Sequence, residues 1–178
     1  MKYPIGIQDF EKIIEDGYIY LDKTDLVCDL VQNGKIYLLC RPRRFGKSLL
    51  VSTLKCYFEG KKELFKGLSI DKLEKEWKLY PVFHLSFGGQ NYIEPYALEH
   101  VLEEFVARAE LVYGKDELAK TLSSRFRAVL KKAHAKTGMR SVVLIDEYDK
   151  PLLDVMDMDI SVQNEYGKMT LEDYNRNL

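Results

Sequence analysis

The sequence has few cysteines and no long apolar run. Cys28, Cys40 and Cys56 are the three cysteines of 178 residues, and no C-x-x-C pair occurs. An odd, widely spaced set predicts neither a disulfide framework nor a zinc site, so we expect all three to be small buried apolar residues. No stretch approaches the ~20 apolar residues of a membrane helix, and the N-terminus lacks the apolar core of a signal peptide. We therefore expect a cytoplasmic protein.

An excess of charge of one sign is also lacking. The chain carries 27 basic and 28 acidic side chains, a formal net charge of -1. This balance gives no argument at the level of the whole chain for binding nucleic acid. A composition of 46% hydrophobic and 31% charged residues is ordinary for a globular domain that buries a core.

The first motif with chemical content is RPRRFGKS, residues 41–48, which follows the apolar run Ile36–Cys40. An apolar strand, a loop with Gly46-Lys47-Ser48 and an amphipathic helix form the context that a phosphate-binding loop requires. Backbone amides at a helix N-terminus attract phosphate oxygens, Lys47 adds a positive charge, and the Ser48 hydroxyl suits magnesium. The amides predicted to contact phosphate belong to the following residues: Arg44, Phe45, Gly46, Lys47, Ser48 and Leu49.

The second motif is SVVLIDE, residues 141–147. Four apolar residues deliver Asp146 and Glu147 to the C-terminal end of a predicted strand, where open α/β sheets bind ligands. Asp146 is predicted to serve magnesium, usually through water, and Glu147 to polarise an attacking water molecule. The alternative is that Glu147 is only an exposed strand end.

The loop departs from the usual phosphate motif at Arg41, where a glycine is normally found, and Pro42 stiffens its entry. One interpretation is a degenerate loop that no longer binds. However, PIGIQDFEKIIEDGYIYLDKTDLV, RPRRFGKSLLVSTLKCYFEG, PVFHLSF and VVLIDEYDKPL together resemble the bacterial AAA-ATPase-like family, whose loop also reads Arg-Pro-Arg-Arg-Phe-Gly-Lys. The resemblance covers nearly the whole chain and favours Arg41 as a family trait.

The resemblance implies a P-loop NTPase fold, ATP and Mg²⁺. Members of the family are usually longer, with a second half of the ATPase core and often a nuclease-like domain, neither of which is expected within residues 1–178. We therefore expect a single, incomplete nucleotide-binding domain. An unidentified protein partner or a further C-terminal part would respond to the nucleotide.

The pattern along the chain predicts alternating helices and strands, hence a three-layer α/β fold with a parallel sheet. Asp9 is predicted to cap one helix and Thr24 the next, and a helix from about Lys47 ends near Gly60. Pro81 to Phe87 reads as a strand. Two amphipathic helices follow, and Gly138 ends the second before the acidic strand.

Tyr18 to Thr24 is a candidate for holding the adenine base through aromatic and apolar contacts; a core segment with a helix cap is the other interpretation. The acidic residues Asp149, Asp154, Asp157 and Asp159 lack the spacing of a calcium loop and are interpreted as a solvated surface.

The function favoured by these motifs is Mg²⁺-dependent ATP hydrolysis that drives a conformational switch. A nucleotide-responsive module without turnover is the alternative, and a small-molecule kinase is disfavoured because Asp146-Glu147 suits water attack. Adjacent Arg43 and Arg44 repel each other unless anions offset them, so we expect at least one to face the nucleotide or a partner. The other possibility is two ordinary surface charges.

ATPases with an Asp-Glu strand normally place an additional strand between the phosphate-loop strand and the acidic strand. That strand carries a residue that senses the γ phosphate, and it comes later in the sequence. Nothing after Pro151 reads as a strand, and Leu171, Tyr174 and Leu178 form an apolar stripe on a helix capped by Thr170, with no continuation. We therefore expect truncation before the sensor strand, exposed strand edges, and weak stability and turnover.

Overall fold

The computed structural model describes residues 1–42, 44–164 and 167–178, and for Asn164 the backbone alone. The chain divides into two compact units, Met1–Val82 and Phe83–Leu178. Helices combined with a parallel sheet confirm the predicted α/β class. The third layer and the additional strand stay predictions.

The first unit is built from helices. They are α1 (Phe10–Glu15), α2 (Thr24–Asn33), α3 (Lys47–Phe58), a short 3₁₀ helix (Lys62–Phe65) and α4 (Ser69–Leu73). The predicted start of α1 is confirmed, because Asp9 Oδ1 accepts a hydrogen bond from the Lys12 amide at 3.1 Å. Gly17, with φ of 67°, follows the end of the helix.

The cap of α2 differs from the prediction. Thr24 is the first residue of the helix and is fully buried, and its amide and hydroxyl both donate to Asp22 Oδ1, at 2.9 and 2.7 Å. Asp22 Oδ2 accepts from the amide and hydroxyl of Ser69 at 2.8 Å each, and Thr24 Oγ1 accepts from the Ile70 amide at 3.0 Å. One carboxylate therefore ties the start of α2 to the start of α4.

Helix α3 is held by contacts with α1. The Phe10 amide donates to Ser52 Oγ at 2.9 Å, which joins α1 to α3. The fully buried Phe10 ring lies 4.8 Å from Phe65 and 5.1 Å from Tyr20 between centroids. This aromatic core fixes the helix that begins at the predicted phosphate loop.

The predicted strand Ile36–Cys40 is wrong: within the described part of the chain, residues 36–40 form no strand. Ile36 is 94% exposed and Leu38 71% exposed. The Tyr37 hydroxyl donates to the Leu30 carbonyl at 2.7 Å, so the segment folds back on the end of α2. An apolar run becomes a strand only when a neighbour supplies hydrogen bonds, and no described strand pairs with this one.

In the second unit, a parallel pair of strands forms with two helices between them. The elements are β1 (Val82–Ser86), α5 (Ala97–Tyr113), α6 (Leu122–Thr137) and β2 (Val142–Asp146). β1 begins at the boundary of the units. Gly138, with φ of 69°, ends α6 as predicted. All four elements confirm the sequence prediction.

Helices α5 and α6 pack together over an apolar cluster at β1. Phe83, Ala109, Val129 and Ala133 are its buried members. This packing holds β1 and, through it, the adjacent acidic strand.

The end of the second unit contradicts the prediction that nothing after Pro151 is a strand. Helix α7 (Lys150–Leu153) is followed by β3 (Ser161–Asn164), β4 (Gly167–Thr170) and α8 (Leu171–Asn177). The strands pair antiparallel, with Ser161 opposite Thr170, so strands do follow Pro151.

The predicted stripe on α8 is not without partners. Leu171 and Tyr174 are buried with Val155 and Val162. The predicted cap is confirmed, since the Asp173 amide donates to Thr170 Oγ1 at 3.1 Å.

In the described part of the chain, no helix is both long enough and apolar enough to cross a membrane.

Candidate functional site

The predicted phosphate loop ends at Gly46, the residue before α3. Gly46 has φ of 75° and ψ of 20°, a left-handed conformation that favours glycine, and no atom of the described residues lies within 4 Å of where a Cβ would stand. No side chain of the described residues caps α3, and its first turn carries no acidic residue. The amides at the start of a helix lack intrahelical partners, so this end of α3 offers donors to an anion.

Lys47 is folded over the loop. Its ammonium donates to the Arg41 carbonyl at 2.7 Å, across the whole predicted motif. Lys47, Ser48 and Leu49 are half-buried, whereas Phe45 is 62% exposed. The structure therefore brings the ammonium of Lys47 to the entry of the loop, at Arg41.

Arg44 is exposed and has φ of 68°. A residue with a Cβ rarely adopts this conformation, so the loop carries backbone strain at Arg44. Arg43 lies outside the described residues.

The candidate adenine segment makes packing and capping contacts. Tyr20 packs edge-on against Phe10, and Lys2 Nζ lies 4.0 Å from the centroid of the Tyr18 ring. Asp22 and Thr24 belong to the paired caps of α2 and α4. These contacts agree with the interpretation of Tyr18 to Thr24 as a core segment with a helix cap.

In the second unit, Asp146 is the last residue of β2 and only 9% exposed. Its Oδ1 accepts from the Glu147 amide at 3.0 Å, and its carbonyl accepts from the Phe87 amide at 3.1 Å. Asp146 and Glu147 thus lie together at the C-terminal edge of the parallel strands, as the sequence predicts.

Glu147 is exposed and has φ of 53°, so the chain turns sharply as it leaves β2. Its carboxylate lies over the backbone of Gly88: a Cβ on Gly88 would stand 2.7 Å from Glu147 Oε2. Sequence reasoning missed Gly88 and its neighbour Ser86. The available signal was the pair Gly88-Gly89 directly after a strand, where glycine often marks a close approach.

The acidic stretch after β2 is only partly a solvated surface. Asp157 and Asp159 are exposed, but half-buried Asp154 accepts from Lys150 Nζ at 2.8 and 2.7 Å. Asp154 Oδ2 also accepts from the Tyr92 amide at 3.3 Å. Asp154 thereby links α7 to the loop that follows β1.

The cysteine prediction holds for two of three positions. Cys28 and Cys56 are buried, and burial raises the pKa of the Cys56 thiol to about 11. Cys40 is exposed, because the strand predicted to bury it does not form. In the described part of the chain, no group of three or more His, Cys, Asp or Glu side chains is placed to hold a metal ion.

Comparison with known proteins identifies a family and a relative. The model of a family described as "Predicted AAA-ATPase" matches residues 4–176. A protein of Azotobacter chroococcum mcd 1, described as "Uncharacterized protein in vnfD 5'region", is 43% identical over 154 residues, which are 86% of this chain and 30% of that protein. The chain therefore spans about 30% of the length of that relative. No solved structure matches. On the match over residues 4–176, the chain belongs to the predicted AAA-ATPase family.

Proposed function

We propose that this chain binds ATP with Mg²⁺ and hydrolyses it. The observation that carries the proposal is the start of α3, where uncapped amides follow a left-handed Gly46 and the Lys47 ammonium reaches the Arg41 carbonyl. An anion at this position would accept hydrogen bonds from these amides. It would also replace the Arg41 carbonyl as the partner of the Lys47 ammonium. Membership of the predicted AAA-ATPase family supports ATP as that anion.

The chemistry of the residues at the proposed site suits ATP with Mg²⁺. Gly46 leaves space for a ligand, because nothing in the described part of the chain lies within 4 Å of the position of a Cβ there. The Ser48 hydroxyl and the Asp146 carboxylate are the hard oxygen donors that Mg²⁺ prefers. When bound, the ion neutralises charge on the phosphates.

Each motif then has a role. Lys47 binds the β and γ phosphates, and the amides from Arg44 to Leu49 bind phosphate oxygens. Ser48 and Asp146 hold the ion, and Glu147 accepts a proton from the attacking water. Coupling of hydrolysis to a conformational switch, and a partner that responds to it, belong to the same proposal.

Lys47→Ala tests the phosphate site. We expect Mg²⁺-ATP affinity, measured by calorimetry, to fall at least about 100-fold, because the variant loses a charge-assisted contact to phosphate. Lys66→Ala, which removes an exposed lysine of the same unit, is the matched control and should bind as the wild type does. A folded Lys47→Ala chain with unchanged affinity would refute the proposal.

Glu147→Gln separates hydrolysis from binding. We expect affinity to be retained and turnover to fall by a factor of 100 or more, since an amide cannot accept the proton. Glu117→Gln, at an exposed position, is the control. Tight binding without turnover in the wild type would instead identify a nucleotide-responsive module.

A further inference from the structure

Glu147 lies against a residue that has no side chain. The position of a Cβ on Gly88 is 2.7 Å from Glu147 Oε2 and 3.2 Å from its Cδ. The φ of Gly88 is outside the left-handed region, so an L-residue would suit the backbone there. It is the carboxylate of Glu147 that occupies the space an ordinary side chain would take.

A hydroxyl group borders the same space. Ser86 Oγ lies 3.4 Å from the position of that Cβ and accepts a hydrogen bond from the Gly88 amide at 3.2 Å. Among the described residues, the Ser86 hydroxyl donates to no group, Glu147 included, so its hydrogen is free. Ser86, the last residue of β1, therefore keeps a donor on the side where the Glu147 carboxylate lies.

The backbone of Glu147 is held at both ends. Its amide donates to Asp146 Oδ1 at 3.0 Å, and its carbonyl accepts from the Lys150 amide at 3.0 Å. The hydrogen bond from Phe87 to the Asp146 carbonyl, 3.1 Å long, fixes the end of β1 beside this turn. Because the backbone of Glu147 is fixed, Ser86 and Gly88 can affect its carboxylate only by restricting the side-chain torsions of Glu147.

We propose that Ser86 and Gly88 are positioning residues for Glu147: the bare Cα of Gly88 admits the carboxylate, and the free Ser86 hydroxyl donates to it when the side-chain torsions of Glu147 bring the two groups together. We call these two residues the glutamate seat. The inference rests on the proposed role of Glu147 in water activation. A general base displaced by about 1 Å loses much of its effect, so the seat controls turnover without contacting the nucleotide.

The test uses the full chain with three substitutions at or near the seat. Gly88→Ala displaces the flexible end of Glu147 without straining the backbone, and Ser86→Ala removes the hydroxyl. Ser86→Thr restores the hydroxyl in a residue that suits a strand. Gln90→Ala, at an exposed position just beyond the seat, is the matched control.

Two measurements are made on each variant. The first is the side-chain carboxyl carbon resonance of Glu147 by ¹³C NMR, identified as the signal lost in Glu147→Gln. We expect it to move in Gly88→Ala and Ser86→Ala and to stay in place in Gln90→Ala. The second is kinetic: kcat should fall about 10- to 100-fold in Gly88→Ala and about 3- to 10-fold in Ser86→Ala, with affinity for Mg²⁺-ATP unchanged and Ser86→Thr near wild type.

The outcomes separate the two proposals. A Glu147 resonance that Gly88→Ala does not move overturns the seat whether or not ATP is hydrolysed. A resonance that moves while kcat stays at the wild-type value overturns the positioning role. A wild-type chain without turnover overturns the proposed hydrolysis, and the role of the seat with it.

Discussion

Asp22 shows how one side chain organises the first unit. It accepts four hydrogen bonds, from the amide and hydroxyl of Thr24 and from the amide and hydroxyl of Ser69. Burial disfavours the charged form and by itself would raise the pKa of Asp22. The four hydrogen bonds have the larger combined effect, so the pKa is lowered. Because an ionised carboxylate accepts all four, the caps of α2 and α4 depend on its charge.

We expect Asp22→Asn to destabilise the first unit by about 1–2 kcal/mol, since an amide provides one acceptor oxygen where the carboxylate provides two. Fluorescence of Trp77, the single tryptophan, whose ring lies 5.1 Å from Phe65, follows urea unfolding of this unit. Asp29→Asn, an exposed position on α2, makes the same charge change as a control.

The lowered pKa of Asp22 also sets how the stability of the first unit depends on pH. The folded-state pKa of Asp22 is lowered, so its contribution is present above the unfolded value of about 3.9 and is lost as pH falls through the folded value. The wild type should therefore lose more stability than Asp22→Asn as pH falls below about 4. Parallel pH curves for the two proteins would contradict this.

Arg44 combines a costly backbone conformation with a charge in the predicted phosphate loop. Arg44→Gly should stabilise the chain by up to about 1 kcal/mol, because glycine adopts φ of 68° without strain, and Arg44→Ala should be close to neutral. If the guanidinium faces the nucleotide, both variants lose Mg²⁺-ATP affinity equally, by about tenfold. Calorimetry that finds wild-type affinity in these variants and in Arg43→Ala/Arg44→Ala would show two ordinary surface charges.

At the scale of elements, α5 and α6 are joined by an ion cluster. Arg125 on α6 donates to both carboxylate oxygens of Glu110 on α5, at 3.0 and 2.8 Å, and to Glu103 at 2.6 Å. Glu110 is only 8% exposed, and the hydrogen bonds from Arg125 lower its pKa. Breaking the pair leaves a buried carboxylate without a partner.

Arg125→Met should destabilise the second unit by about 3–5 kcal/mol, because it leaves the charge of Glu110 unpaired. Adding Glu110→Gln should restore a large part of the loss, since no charge is then buried. Hydrogen exchange of the α5 and α6 amides measures both effects, and Arg127→Met, an exposed arginine of α6, is the control. A double variant no more stable than Arg125→Met would contradict this account.

The elements that sequence predicted well are those whose signals are local. Periodic apolar residues and Gly138 mark α6, and an apolar run followed by Asp146 marks β2. The segment Ile36–Cys40 carried the same kind of signal, yet a strand also needs a partner, which the sequence of the segment does not contain. The opposite error occurred at Ser161–Asn164 and Gly167–Thr170, which pair although neither has a run of apolar residues.

The same distinction applies to the candidate site. Gly46, Lys47 and Ser48 are recognised from their own spacing, and Asp146 and Glu147 from the end of one strand. The contact of Glu147 with Gly88 depends on the pairing of β1 with β2, strands separated by two helices. Residues that act through such pairing become visible only once the neighbouring strand is known.

At the scale of the molecule, each unit exposes apolar residues outside its helices. Ile36 and Leu38 are exposed in the first unit, and Val143 and Ile145 on β2 in the second. Extended backbone with unpaired hydrogen-bonding groups and apolar side chains is a template for pairing with another chain. This exposure supports the expectation that the polypeptide associates.

We expect the chain to self-associate with rising concentration. Ile36→Gln/Leu38→Gln should shift the association to higher concentration by about tenfold or more, since it removes apolar surface from a segment that no described strand covers. Sedimentation velocity over a concentration series measures the shift. Leu111→Gln/Leu118→Gln is the matched control, because these leucines are just as exposed (88% and 89%) but Leu111 lies on a helix whose backbone is already paired. If association is driven by strand pairing, the first pair of substitutions relieves it and the second does not. Equal relief by both pairs would instead identify a general effect of exposed apolar side chains.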